Sequence, residues 1–248
     1  MSVYKQIMEK YERKEKQYWI LLDPDDFSNK DAAQIVKTAQ EAGVSAVLIG
    51  GSLIQNDGDL RDFIAEIKRN SSIPVILFPG DASQIAENAD AILFMSLISG
   101  RNPDFLIGQQ VKGAVKIAKS KVEPISMGYM LVESGTVTSV EFMSNTKPLP
   151  REKPQIAAAH ALAAQFLGMS MIYLEAGSGA KFSVPDDLIA AVKKSVKIPV
   201  IAGGGIRNSE TAKEKLQSGA DIIVTGNLLS SLDGINEMQK IAKAVKEA

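Results

Sequence analysis

Eight short runs of apolar residues divide this chain at near-regular spacing: YWILLDP (18–24), AVLIGGS (46–52), PVILFPG (74–80), AILFMSLIS (91–99), EPISMGYMLVE (123–133), MIYLEAG (171–177), PVIAGGG (199–205) and DIIVTGN (221–227). Runs this rich in Val, Ile and Leu, without polar alternation, are strands buried on both faces, as in a parallel sheet covered by helices. Eight of them predict a closed barrel, a (β/α)8 fold of the TIM type. We expect residues 1–248 to form one such domain, a length that buries roughly 70–75 % of the surface of the unfolded chain.

Helical patterns fill most of the intervals. Ser28, with Asp31 three residues on, reads as a capping box before AAQIVKTAQEAG, and Gly43 closes that helix. Further helices are expected over 59–70, 103–120, 153–168, 185–195, 209–219 and 235–248. The opening MSVYKQIMEKYERKEKQ has charges and apolar residues at helical spacing and no apolar secretion core, so an amphipathic N-terminal helix precedes the barrel. Residues 154–174 contain no Asp, Glu, Lys or Arg, but their alanines, glutamines and His160 suit a buried helix running into a buried strand better than a membrane span.

Two intervals depart from the pattern. Between the third and fourth runs only GDASQIAENAD (80–90) is available, so the third helix is missing or reduced to a turn or two. The outward apolar side chains of the neighbouring strands are then left for a loop, a partner chain or an apolar ligand to cover. After the fifth run, residues 134–153 form a polar connection with Gly135, Pro148 and Pro150, a length that compact domains keep for functional or mobile segments.

Charge and composition narrow the function. Lys and Arg number 28 against 29 Asp and Glu, a net charge of -1, which lacks the positive field that nucleic-acid binding requires. There is no cysteine, so no disulfide, thiolate nucleophile or cysteine metal site, and the expected compartment is a reducing cytoplasm. His160 is the single histidine and falls in mid-helix on the outer ring, as packing or surface, so Ser-His and Cys-His nucleophile chemistry is excluded.

Barrels of this kind carry their chemistry at the carboxyl ends of the strands and bind phosphate after strands 7 and 8. Strand 7 ends in Gly203-Gly204-Gly205 and strand 8 in Thr225-Gly226-Asn227, each expected to lead into a helix whose first amides point inward. Glycine permits close approach of an anion, and a helix N-terminus adds roughly half a positive charge. The alternative is that these glycines only make tight turns. Neither Gly177-Ser178-Gly179 nor Gly203-Gly204-Gly205 completes G-x-G-x-x-G, so a dinucleotide site is not expected.

Asp23 ends strand 1 and Ser52 ends strand 2, adjacent positions on the rim. A carboxylate with a hydroxyl suits a Mg²⁺ that keeps waters and takes other ligands from a phosphate-bearing substrate; a capping Asp and a turn Ser explain the same spacing. Glu175 stands between an apolar run and AGSG. A carboxylate beside an anion cradle repels the anion unless it has a task, and the natural one is to accept a proton from a substrate hydroxyl. A solvated or salt-bridged Glu is the alternative.

LLDPDD, LIGGS, LFPG, YLEAGSGA, IAGGGIR and VTGN, in this order over nearly the whole chain, resemble the geranylgeranylglyceryl phosphate synthase family of prenyltransferases, together with the related heptaprenylglyceryl phosphate synthases. YLEAGSG is the most specific of these motifs. The resemblance implies a modified barrel without its third helix, in agreement with the short 80–90 link. It implies attack of the 3-hydroxyl of sn-glycerol 1-phosphate on C1 of a polyprenyl diphosphate, geranylgeranyl being the expected tail, with loss of diphosphate. Under it, Asp23 and Ser52 hold Mg²⁺ and Glu175 takes the hydroxyl proton. Tyr173, Leu174, Ala176, Gly177, Ser178 and Gly179 position the glycerol phosphate, while Gly204, Gly205, Gly226 and Asn227 hold its phosphate. The vacant helix slot becomes the groove for the prenyl tail. A homo-oligomer is implied, with peripheral membrane contact for product release and no transmembrane segment.

One departure stands out. Many relatives carry a lysine near the first aspartate, where this chain has Leu21, Asp25 and Asp26, which shifts charge compensation to the metal, Lys181 or Arg207. Two other readings share the phosphate arc: a sugar-phosphate isomerase or lyase on the same barrel, and an idle phosphate-binding scaffold.

Overall fold

The computed structural model describes residues 2–51 and 60–248; Ser52 lies outside the described residues. Eight parallel strands close into a barrel in chain order. They are β1 (Gln17–Leu22), β2 (Ala46–Ile49), β3 (Val75–Leu77), β4 (Ala91–Leu97), β5 (Glu123–Leu131), β6 (Met171–Glu175), β7 (Val200–Gly203) and β8 (Ile222–Thr225). The helices are α1 (Val3–Glu12), α2 (Asn29–Ala42), α3 (Leu60–Asn70), α4 (Gln109–Lys119), α5 (Ser139–Ser144), α6 (Pro154–Phe166), α7 (Asp186–Ser195), α8 (Ser209–Gln217) and α9 (Leu232–Lys246). The expected barrel with an N-terminal helix is the architecture found.

The two-residue alternation of each strand divides the core into two shells. Tyr18, Ile20 and Leu22 of β1 and Ile172 and Leu174 of β6 pack outward against the helices. Trp19 of β1 and Met171 and Tyr173 of β6 point inward. The amino-terminal end of the barrel is closed by α1, whose Val3 and Ile7 join the inner shell and whose Val3 amide donates to the Glu123 carboxylate at 2.6 Å. Helix α2 begins as its sequence indicates: Ser28 Oγ accepts from the Asp31 amide and donates to its carboxylate at 2.6 Å. It ends at Gly43, whose φ of 102° only glycine adopts freely.

No helix separates β3 from β4. Ile85, Ala86 and Ala89 of the connecting turns are buried in the outer shell, and Ile85 seats against Gly113 of α4, where a Cβ would approach its Cδ1 to 2.9 Å. The wall stays open above this filling. β3 pairs with β4 only at Ile76–Ala91 and Leu77–Ile92, whereas β4 follows β5 for seven residues. On the open side Gln110 donates to the Met95 carbonyl, and a π turn at Asp104–Gly108 leads into α4. The alanine-rich α6 buries Ala157, Ala161 and Ala164 and stops after 13 residues, and no helix among the described residues is long and apolar enough to cross a membrane. His160 sits on α6 as expected, its Nδ1 2.8 Å from the Ile156 carbonyl.

The bottom of the barrel is tied by Asp221. Its Oδ2 accepts from Lys193 Nζ of α7 at 2.6 Å and from the Val200 amide of β7 at 2.9 Å, while Lys16 Nζ lies 3.7 Å from Oδ1. Removing this largely buried acceptor leaves the Val200 amide unsatisfied and Lys193 with only the Tyr11 hydroxyl, 3.3 Å away. Asp221→Ala is expected to cost about 3 kcal/mol in urea unfolding, and a loss under about 0.5 kcal/mol would show that the cluster does not hold the strands together.

Candidate active site

At the carboxyl end of the barrel the strand termini surround a cavity of about 1180 Å³. One half is polar and glycine-lined, with Gly177, Ser178, Gly179, Gly204, Gly205, Gly226 and Asn227; the other is apolar, with Ile85, Phe94, Phe105 and Ile117. Glu175 and Tyr173 face the junction. They do so because they follow Met171 on the inward face of β6 at two-residue steps.

Glu175 is only 6 % exposed and has no cation within ion-pair distance among the described residues. Burial raises its carboxyl from the ordinary 4.5 to about 7, against the opposing pull of hydrogen bonds from the Gly177 amide, the Tyr173 hydroxyl and the Ala176 amide. The Gly177 amide donates to Oε1 at 2.5 Å. The solvated or salt-bridged alternative is therefore not the arrangement present. A carboxyl poised near neutrality and fixed by backbone is suited to proton transfer.

Gly204 and Gly205 have φ of +79° and +69°. A Cβ on Gly204 would overlap the Glu175 carboxylate and lie 2.6 Å from the Gly177 nitrogen, and one on Gly205 would lie 2.8 Å from the Ser183 nitrogen. The loops after β6 and β7 thus interlock at a spacing that only glycine permits. The amides of Gly204, Gly205, Gly226 and Asn227 have no backbone acceptor among the described residues, which leaves them for an anion or water. Asn227 Oδ1 accepts from Ser178 Oγ at 3.0 Å, joining the β6 and β8 loops.

The helix termini differ from expectation. Helix α8 starts only at Ser209, and its first amides are occupied: Thr211 donates to Asn208 Oδ1 at 2.8 Å and Ser209 to the Glu237 carboxylate at 3.0 Å. β8 leads into a single 3-10 turn, Asn227–Ser230. The cradle is built from the loop amides after β7 and the first amide of this short 3-10 turn after β8, and the N-terminus of α8 takes no part in it. Leu174 also departs from its expected role: it is buried in the outer shell between strand and helices, because it alternates with Tyr173 and Glu175. Ala176 packs in the same shell, and its amide donates to Gly203 O at 3.0 Å.

On the β1 side, Asp23 lines the cavity together with Asp26 and Gly51. Its carboxyl is raised by burial first and by Asp26 and Asp25 second, against a hydrogen bond from the Asp25 amide. No cation neutralises it among the described residues, and a Cβ on Gly51 would overlap its oxygens. Of the two candidate compensating cations, Arg207 lines the cavity and anchors on the Ala180 carbonyl at 2.7 Å, whereas Lys181 leans over the Phe182 ring, 5.2 Å from its centroid.

Sequence reasoning missed an aromatic floor. Phe78, Tyr129 and Tyr173 form a triangle with ring centroids 5.4 to 5.8 Å apart, and all three line the cavity. Tyr129 pairs directly with Tyr173 in register; inward alternation along β5 was the available signal. The 134–153 connection folds over the mouth, with Thr138 against Gly177 and Val137, Phe142 and Met143 in the lining.

An apolar groove joined to a glycine cradle by one desolvated carboxylate defines a barrel enzyme acting on a phosphate ester with an apolar part. Comparison with known proteins agrees. The PcrB family profile matches residues 10–248. The chain is 45% identical over 245 residues to the geranylgeranylglyceryl phosphate synthase of Pyrococcus horikoshii, covering 99% of this chain and 95% of that protein. It is 49% identical over 212 residues to the synthase of Spirosoma linguale, covering 86% and 85%. A crystal structure of (S)-3-O-geranylgeranylglyceryl phosphate synthase from Thermoplasma acidophilum in complex with the substrate sn-glycerol-1-phosphate superposes with a TM-score of 0.95 at 35% identity over 100% of both chains. The chain belongs to the PcrB family and is a prenyltransferase by that kinship.

Two outcomes follow for the site. Because the folded state holds the Glu175 proton more tightly than the unfolded state, it binds more protons between pH 4.5 and about 7, and stability falls as pH rises through that window. Glu175→Gln removes the cost of ionisation and is expected to raise stability at pH 8 by about 3 kcal/mol relative to the wild type, but not at pH 4; equal effects at both pH values would refute the raised carboxyl. Gly204→Ala is expected to weaken inorganic phosphate binding by at least roughly tenfold in calorimetric titration, and unchanged affinity would place the anion elsewhere.

Proposed function

We propose that this protein, acting as one domain over the whole chain, joins the 3-hydroxyl of sn-glycerol 1-phosphate to C1 of a polyprenyl diphosphate, with geranylgeranyl the expected tail. The observation that carries the reading is Glu175, a carboxylate buried to 6 % exposure and without a cation among the described residues, at the joint between anion cradle and apolar groove. In the proposed step the bond from glycerol O3 to prenyl C1 forms while the bond from C1 to the diphosphate oxygen breaks. The hydroxyl proton passes to a Glu175 oxygen, and the bonding electrons leave with diphosphate.

Each neighbouring group has a physical part in this. Amides of Gly204, Gly205, Gly226 and Asn227, with the Gly177-Ser178-Gly179 turn beside them, hold and orient the glycerol phosphate, so that O3 meets Glu175 in a site from which bulk water is displaced. Tyr173, on the same inward face of β6, opposes the rise in Glu175 proton affinity and stands beside it at the cavity. In the groove, Phe94, Phe105 and Ile117 favour the tail by roughly 0.8 kcal/mol for each buried CH₂.

A Mg²⁺ fits the donors on the β1 side. Asp23 offers a carboxylate without a cationic partner and next to a glycine that leaves its oxygens open, and Ser52 is the second oxygen ligand of the proposal, the rest coming from water and diphosphate. When bound, the metal supplies charge neutralisation of the departing diphosphate. The absence of cysteine suits a cytoplasmic site of action. Phe166 and Leu167, 77% and 76% exposed at the end of α6, suit an interface in a homo-oligomer.

Purified protein incubated with Mg²⁺, labelled glycerol 1-phosphate and prenyl diphosphates of several lengths is expected to move label into an organic extract. No extractable label with any length would end this reading. Glu175→Gln is expected to lower turnover by roughly 10²–10⁴-fold while retaining phosphate affinity. Wild-type turnover is expected to rise with pH through about 7, as the base ionises, and to level above it.

A further inference from the structure

Helix α4 has an inner face that belongs to the cavity, through Gln110, Gly113 and Ile117. Its outer face is exposed among the described residues. Val111 and Val115 are 65% and 62% exposed one turn apart, and Ile107, in the π turn that leads into the helix, is 60% exposed a further turn back. β-branched side chains in a row are costly to hold in water over nearly the length of a helix. Beside this ridge stand Lys112, Lys116 and Lys119, all exposed. From 105 to 122 the chain contains four lysines and no acidic residue. Only Lys112 is ion-paired among the described residues, to Asp104 at 3.0 Å.

The ridge and the groove lie on opposite faces of the same helix. The segment before α4 is fastened to α5 by Asn102 Nδ2, which donates to Ser144 O at 2.6 Å, and α5 carries Phe142 and Met143, 76% and 47% exposed and part of the cavity lining. The helix that carries the ridge is thus tethered to the exposed apolar residues of α5 at the mouth, and Lys116 and Lys119 beside the ridge make no ion pair among the described residues. An aqueous surface does not favour this combination; an interface that is apolar below a layer of negative charge does, because the valines enter the acyl boundary while the lysines remain among the headgroups.

We propose that the outer face of α4 docks this protein on an anionic lipid bilayer, with the cavity mouth at the membrane surface, so that the prenyl substrate enters and the ether product leaves without crossing water. The inference rests on the prenyltransferase reading for its purpose, while the docking itself is measured without substrate. The bilayer is favoured over a protein partner by the one-signed charge along the helix and by the place of the ridge on the helix whose inner face lines a groove sized for a lipid tail.

The test is co-sedimentation of the full chain with phosphatidylcholine vesicles, with and without phosphatidylglycerol, at low and high salt, alongside turnover of geranyl diphosphate, which is short enough to be presented in solution. The expected result is binding to the anionic vesicles alone, reduced by salt. Val111→Asp/Val115→Asp and, separately, Lys116→Glu are each expected to weaken it by roughly tenfold or more with turnover of the soluble substrate unchanged. Lys116→Glu alters a fully surface charge and keeps the test informative if the double variant fails to fold. Wild-type protein that turns over geranyl diphosphate but ignores anionic vesicles overturns the docking surface alone. A double variant that halves the particle mass in sedimentation velocity with vesicle binding intact also overturns it, assigning the ridge to a second copy of the chain. Vesicle binding with no turnover of any prenyl diphosphate supports the surface and overturns the enzymatic reading instead.

Discussion

A closed parallel barrel has one interior, and every second residue of each strand must enter it. In β6 that rule admits Met171, Tyr173 and then Glu175, so the strand carries an ionisable group to the point where the packed interior gives way to the cavity. Burying a carboxylate without a cation is unfavourable, and the chain offsets it only in part, with the Gly177 and Ala176 amides and the Tyr173 hydroxyl. The remainder appears as the raised proton affinity. The chemistry of the site is thus a consequence of how the barrel closes.

The glycines answer a second constraint. Three loops must present amides to one small volume already holding a carboxylate, and Cβ atoms at Gly204 or Gly205 would collide with the backbone of the neighbouring loop. Left-handed conformations at Gly204 and Gly205 make this approach possible without help from the α8 dipole. Arg207, anchored on the Ala180 carbonyl, adds the positive charge that the acidic rim around Asp23 and Asp26 lacks.

The omitted helix between β3 and β4 shapes the apolar half of the cavity. A full helix would have covered the outer shell there; turns carrying Ile85, Ala86 and Ala89 cover only its lower part. Short β3 pairing and the Gln110 latch on the Met95 carbonyl then keep the wall parted without leaving strand edges free. Polar recognition and apolar recognition meet at Glu175 because the missing helix and the glycine loops lie around the same mouth.

The sequence by itself determined the barrel, its N-terminal helix, the omitted third helix and the ring of strand-end residues, because each rests on local periodicity, on capping such as Ser28 and Gly43, or on the length of a link. It also put Glu175 at the right strand end. Tertiary structure alone decided that Glu175 is desolvated, that Leu174 faces the helices, that Asn208 and Glu237 occupy the α8 terminus, and that Phe78, Tyr129 and Tyr173 share a floor. Those facts depend on register and closure, which bring together Phe78 after β3 with residues of β5 and β6 across long stretches of chain. Lys181 and Arg207 looked alike as compensating charges in the sequence, and only packing separated them, one toward an aromatic ring and the other toward the cavity.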